Sequence, residues 1–143
     1  MTTREQTAHR FGMAWVGLSL CLGAHVVDEA LSGFLEVYNP AVRAIHAHLP
    51  FLLLPTFTFK VWLSLLIAAV CVLVALSAFA FWGARWMVPL SYLFAGVMLM
   101  NGLWHSAASI YLRRPMPGVY SSPFLLAGSV CLLVTARRFR ASW

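Results

Sequence analysis

The sequence predicts an all-α membrane protein, a bundle of four transmembrane helices in a single domain. Of its 143 residues, 62% are apolar and 10% are charged, whereas soluble domains have about 45–50% apolar and about 25% charged residues. The apolar residues fall into four segments, each close to the roughly 20 residues that a helix needs to cross a bilayer. No alternating pattern of the kind found in barrel strands accompanies them, and a helix satisfies its own backbone groups in lipid.

The four predicted spans cover about residues 11–31, 61–82, 86–110 and 119–136. The first resembles a secretory signal, but Leu20 and Leu22 disfavour cleavage near Cys21, so we interpret it as a retained span.

Between the first two spans, the sequence predicts an interfacial helix over about residues 39–50. Asn39-Pro40 would begin this helix and Pro50 would end it. The apolar residues 51–59 contain Pro55. They either dip into the membrane or lead directly into the second span.

The basic residues predict the orientation and the partners. They give a net charge of +6 but punctuate the apolar segments instead of forming a patch, which favours membrane lipids over nucleic acid. More of them lie on the cytoplasmic side if both termini are cytoplasmic, in a plasma (inner) membrane. The largest basic cluster follows the last span and comprises Arg137, Arg138 and Arg140.

Five polar residues stand inside two of the predicted spans, where ionisable side chains are costly and mark candidate functional sites. They are His25, Asp28 and Glu29 in the first span and Asn101 and His105 in the third. Counting about 1.5 Å per residue places His25 and Asn101 at one depth, and Glu29 and His105 at another. Each pair on one helix has i,i+4 spacing and shares a face. We therefore expect the two faces to converge. The alternative is that these residues only mark a helix end and join helices by hydrogen bonds.

These residues carry a family resemblance. The run from His25 to Glu29, the run from Asn101 to His105, and Pro117-Gly118 together resemble the HXXEE-motif family of small integral membrane proteins. The sequence departs from the motif at Asp28, where glutamate is expected. The resemblance implies a membrane protein of uncharacterised function with a suspected metal-dependent active site.

The first functional hypothesis is a metal-dependent membrane enzyme of the hydrolase class that acts on a lipid-like or amphipathic substrate through metal-activated water. His25, Glu29 and His105 form a ligand set suited to Zn²⁺, and Fe or Mn would also accept it. Asp28 would serve as general base or fourth ligand, and Asn101 would orient the substrate. Trp104, Arg113 and Arg114 are the candidate substrate-binding residues, since guanidinium groups can hold an anionic head group.

Two other functions remain open from the sequence. A metal-free lipid isomerase would use the histidines and carboxylates as acid and base, in an architecture that broadly resembles sterol isomerases. In it, aromatic residues would line the pocket: Trp15, Tyr92, Trp104 and Tyr111. A proton-coupled small transporter would use Glu29 and His25 and work as a dimer. A homo-oligomer is compatible with either reading, and a purely structural membrane subunit is a fourth possibility.

Overall fold

A computed structural model describes residues 2–143, which form five α-helices and contain no strand. The helices are α1 Thr3–Leu31, α2 Phe34–His48, α3 Phe59–Phe81, α4 Met87–Leu112 and α5 Ser122–Ala141. All but α2 are long and apolar enough to cross a membrane. The chain is thus an all-α protein with four apolar helices of membrane-spanning length, as the sequence predicts.

Helix α1 begins eight residues before the predicted span because its N-terminus is capped. Thr2 Oγ1 accepts from the Glu5 N–H at 3.2 Å, and the Glu5 carboxylate accepts from the Thr2 N–H at 2.7 Å. This reciprocal pair is a capping box, which satisfies two backbone N–H groups that a helix start leaves without partners. At the other end, Gly33 has φ +74°, a left-handed conformation that separates α1 from α2.

Helix α2 differs from the predicted interfacial helix. It begins at Phe34, directly after Gly33, so Pro40 lies inside the helix and does not begin it. Proline in a helix interior removes one backbone hydrogen bond. The Asn39 side chain also does not cap a helix: it accepts from the Phe57 N–H at 3.1 Å and donates to the Phe57 carbonyl at 2.8 Å. Residues 52–58 are not helical, and Asn39 ties them to α2.

Helix α1 is central in the bundle. It packs against α3 on one side and α5 on another, and α4 packs against α5. Trp15 is fully buried in this core, where its indole N–H donates to the Leu73 carbonyl at 2.7 Å and its ring meets Phe94. Helix α3 instead exposes large apolar side chains, among them Val61, Leu65, Ile67, Val72 and Phe79. Exposed apolar surface of this kind suits contact with lipid.

Helix α5 begins at Ser122, three residues later than the predicted span. Gly118 has φ +83° and turns the chain just before it. Ser121 occupies the N-cap position and Pro123 lies in the first turn, where its missing N–H is harmless. This turn places the N-terminus of α5 beside His25 and Asp28 of α1. At its far end α5 continues through Arg138 and Arg140, whose charges suit a helix C-terminus.

Candidate metal centre

The polar faces of α1 and α4 converge at the depth that the residue count predicts. The Asn101 amide nitrogen lies 3.0 Å from His25 Nε2. One turn further along both helices, His105 Nε2 lies 3.2 Å from Glu29 Oε1. The same Glu29 oxygen lies 3.5 Å from His25 Nε2, within α1. A single carboxylate oxygen therefore faces two imidazole nitrogens from different helices.

This cluster is almost sealed from the surroundings. The exposed fractions are 1% for His25, 6% for Glu29 and 5% for His105. The two imidazole rings meet edge to face with their centroids 4.9 Å apart. Buried charged groups persist only when they are paired or bound to a cation, so the three side chains must satisfy one another or share an ion.

Asp28 points away from this cluster, toward the start of α5. Its Oδ2 accepts two hydrogen bonds from Ser121, one from the backbone N–H at 2.9 Å and one from the hydroxyl at 2.7 Å. The positive end of the α5 dipole further favours a carboxylate at this place. Asp28 thereby fixes the N-terminus of α5 against α1.

Ser121 also connects Asp28 to His25, because its hydroxyl oxygen lies 2.8 Å from His25 Nδ1. A serine hydroxyl has one hydrogen, and donation to a carboxylate makes the stronger bond. Ser121 then accepts from the Nδ1–H of His25. In a neutral His25 this leaves a lone pair on Nε2, which accepts from Asn101. The chain of donors thus sets the tautomer and the ring orientation of His25.

This tautomer places two hydrogen-bond acceptors, His25 Nε2 and the Glu29 carboxylate, close to each other. With its lone pair on Nε2, neutral His25 faces the Glu29 carboxylate at 3.5 Å, and two acceptors repel unless a cation or a proton lies between them. The alternative is a second proton on His25, with the Asn101 amide turned to present its oxygen.

The cluster has the donors and the dimensions for a metal ion. The candidate ligand atoms of His25, Glu29 and His105 lie within 4.8 Å of one another. Ligands at about 2.0–2.2 Å from a tetrahedral ion are about 3.3–3.6 Å apart. The two distances to Glu29, 3.2 and 3.5 Å, are close to that range. The group could therefore hold a metal once the Asn101 amide gives up its contact with His25 Nε2.

Gly118 covers the cluster from the side of the α4–α5 loop. A Cβ atom at this position would lie 2.7 Å from His25 Cε1 and 3.1 Å from His105 Nδ1. Only glycine lets the backbone approach both rings this closely, and it also adopts the positive φ of the turn without strain.

The other predicted site residues lie farther out. Trp104 is 73% exposed on α4 and borders a groove beside His105. Arg113 and Arg114 are exposed where α4 ends, and the part of the groove lining that α4 provides stops at Leu112 within the described chain. The aromatic residues predicted to line a pocket are dispersed: Trp15 is in the core and Tyr111 is 86% exposed.

The sequence does not predict the contacts of two residues at the site, Ser121 and Phe34. Ser121 is one of eleven serines in the sequence, and its only local signal is the Ser-Ser-Pro run that starts α5. Phe34, at the start of α2, places its ring 6.0 Å from that of His105. Its role depends on the unexpected early start of α2.

A family model for proteins of unknown function with an HXXEE motif matches residues 15–132. The chain belongs to this family. Comparison of the sequence with curated proteins, and of the structure with solved structures, finds no match. In this HXXEE-motif protein the matched residues include α2, α3 and α4 in full, the part of α1 that carries His25 and Glu29, and the first half of α5.

The residues of the HXXEE motif make different contacts in the structure. Its first and last residues, His25 and Glu29, belong to the cluster, whereas Asp28, at the position where the motif has glutamate, binds Ser121. The replacement keeps the carboxylate and shortens its reach by one methylene. It falls at the contact between α1 and Ser121 and leaves the candidate ligands unchanged.

Proposed function

We propose that this protein is a metal-dependent, membrane-embedded enzyme that acts on a lipid-like or amphipathic substrate. The observation that carries the proposal is the buried convergence of His25, Glu29 and His105 at ligand spacing. Zn²⁺ is the ion that best suits two imidazoles and a carboxylate, and Fe²⁺ or Mn²⁺ accepts the same set. Bound there, the ion supplies a Lewis acid that activates water near neutral pH for hydrolysis.

The residues around the cluster have separate tasks in this proposal. His25, Glu29 and His105 would hold the ion. Ser121 and Asp28 orient His25 so that its Nε2 lone pair points into the cluster, as partners of metal-binding histidines commonly do. One carboxylate oxygen of Asp28 accepts two hydrogen bonds from Ser121. We therefore assign Asp28 this positioning role in preference to that of a general base. Asn101 lies on the wall of the groove, where its amide can orient a substrate carbonyl.

Metal content tests this proposal directly. We expect protein purified in detergent without chelators to contain about one equivalent of zinc or iron, lost in a His25→Ala, His105→Ala double variant. The measurement is inductively coupled plasma mass spectrometry of wild type and variant. A His9→Ala, His48→Ala double variant is the matched control, because it removes two exposed histidines that lie outside the cluster.

The outcomes separate cleanly. Metal that persists in the His25, His105 variant contradicts the ligand assignment. Metal lost equally in the control would mean that the loss does not depend on His25 and His105, and this too contradicts the ligand assignment. Wild-type protein that holds no metal, even after reconstitution, removes the metal enzyme.

A second candidate function is a metal-free acid–base enzyme that moves a proton on a lipid, for example as an isomerase. Two contacts favour it: Glu29 lies within ion-pair distance of both histidines, and Asn101 already engages His25 Nε2. Here a shared proton takes the place of the ion, and Glu29 and His105 act as base and acid. Lipid isomerisation by metal-free wild-type protein would support this candidate.

The positioning role of Ser121 gives a further expected result. Ser121→Ala removes the hydroxyl that orients His25, and we expect metal affinity to fall by roughly 10–100-fold, the effect typical of lost outer-shell partners. Ser121→Thr keeps a hydroxyl at the N-cap and should restore most of the affinity. Competition with a chelating dye measures both.

The matched control is Ser129→Ala, also on α5. Ser129 is fully buried, and its hydroxyl has no hydrogen-bond partner within residues 2–143, so its removal should leave affinity and stability near those of wild type. Equal losses in Ser121→Ala and Ser129→Ala would show that general perturbation of α5, and not the orientation of His25, causes the effect.

A further inference from the structure

An apolar groove of about 520 Å³ opens between α2 and α4 and leads to the cluster. We call it the α2–α4 groove. Each of the two helices contributes one face to it, at i, i+3, i+4 and i+7 spacing. The face of α2 consists of Phe34, Val37, Tyr38, Ala41, Val42 and Ile45, and that of α4 of Asn101, Trp104, His105, Ala108 and Leu112.

The polar groups of the groove are concentrated at its inner end. The cluster residue His105 and its neighbour Asn101 reach the lining of the groove, and the Phe34 ring lies beside His105. Tyr38, farther along, spends its hydroxyl on the Pro55 carbonyl at 3.0 Å. An apolar pocket with a few convergent polar groups is the usual form of a site for a small apolar ligand.

The length of the groove matches one leaflet of a bilayer. From Asn101 to Leu112 the lining follows α4 for eleven residues, which is about 16 Å at 1.5 Å per residue. The hydrocarbon core of a bilayer is about 30 Å thick, so the groove is about as long as one leaflet is deep. A hydrocarbon chain of ordinary lipid length fits these dimensions.

The outer wall of the groove is held in place by polar contacts. Asn39 pairs with the backbone of Phe57 in both directions, and the Leu54 N–H donates to His46 Nε2 at 3.3 Å. These bonds fasten α2 to residues 54–57, whereas few residues of α2 touch α1. The α2 wall is therefore a preformed element and not a loose flap over α4.

We propose that the α2–α4 groove binds a single acyl chain of a lipid, with the carbonyl group of that lipid at Asn101 and His105. This inference rests on the proposed function, whose substrate class it names. The apolar lining takes the chain, and the amide of Asn101 is the hydrogen-bond donor for the carbonyl. An acyl chain that enters laterally from the bilayer reaches the cluster without passing through water.

The experiment uses a fatty acid that carries a diazirine on its chain, photolysed with the full-length protein in phosphatidylcholine vesicles. Metal is first removed with a chelator, so the result does not depend on the ion. We expect saturable labelling of α2 and α4 peptides, reduced at least about tenfold by Ala108→Phe, which fills the groove. Ala107→Phe is the matched control, because Ala107 is the next residue of α4 and is exposed outside the lining.

A second pair of variants guards against misfolding of the first. Ala41→Phe fills the groove from α2, and Ala44→Phe is its control on the exposed face of the same helix. Labelling that does not saturate, or that falls mainly on the exposed face of α3, would overturn the inference. So would groove-filling variants that label like wild type. Saturable groove labelling in a protein that never holds metal would keep the acyl site and reject only the metal enzyme.

Discussion

Glu29→Gln is expected to lower metal affinity by at least about a hundredfold while the metal-free protein stays folded. Glu29 supplies the one carboxylate oxygen that faces both histidines, at 3.2 and 3.5 Å. Glutamine has nearly the same shape but no charge, so the site loses its only anionic ligand and keeps its packing. Loss of an outer-shell partner alone costs 10–100-fold, and loss of a direct ligand should cost more. Metal content and chelator competition measure the change.

The stability of the metal-free variant separates the two proposed functions. With neutral histidines, Glu29 is a buried carboxylate without a counter-ion, and its neutralisation should leave stability unchanged or raise it. With a protonated histidine, Glu29 belongs to a buried ion pair, and breaking such a pair costs about 3–5 kcal/mol. Thermal unfolding of chelator-treated protein distinguishes these cases. Glu36→Gln is the matched control, since it neutralises an exposed glutamate of α2. Wild-type metal affinity in Glu29→Gln would contradict the assignment of Glu29 as a ligand.

The sequence predicts the four long helices and the meeting of α1 with α4 for a simple physical reason. Spanning lipid requires an apolar run of nearly fixed length, so the runs reveal the helices. Equal rise per residue then sets depth, which is how Asn101 meets His25 and His105 meets Glu29. Polar residues that are expensive in lipid must find partners, and this requirement selects the same five residues that the structure places around the site.

The same reasoning predicts neither the residue at which α2 begins nor the contacts that Ser121 makes. Pro40 is a strong local signal for a helix start, but Gly33 ends α1 in a left-handed turn and lets α2 begin at once, with Pro40 inside it. Tertiary contacts of Asn39 with Phe57 accompany this exception. Ser121 shows only a helix-start pattern in sequence, and its place between Asp28 and His25 depends on how α5 packs on α1. Local patterns do not encode that packing.

Gly118→Ala is expected to displace both histidine rings and to lower metal affinity by at least about tenfold. The added Cβ would lie 2.7 Å from His25 Cε1 and 3.1 Å from both Cε1 and Nδ1 of His105. The His25 ring is held by the Ser121 hydroxyl at Nδ1, so it cannot yield without losing that contact, and the His105 ring has the rings of His25 and Phe34 as neighbours. A metal site tolerates ligand displacements of only about 0.2 Å. Chelator competition and the visible absorption of Co²⁺-loaded protein report the affinity and the ligand geometry.

Gly83→Ala separates the steric effect at the site from the backbone effect of the substitution. Gly83 has φ +71°, close to the +83° of Gly118, so both alanine variants place a side chain in a left-handed conformation. That strain costs about 1–2 kcal/mol. At Gly83, however, the added Cβ would meet Phe139 Cζ at an ordinary 3.4 Å and lies far along the chain from the cluster. Both variants should therefore lose some stability, and only Gly118→Ala should change the Co²⁺ spectrum. An unchanged spectrum in Gly118→Ala would mean that the α4–α5 loop moves away freely, and that the close approach of Gly118 does not shape the site.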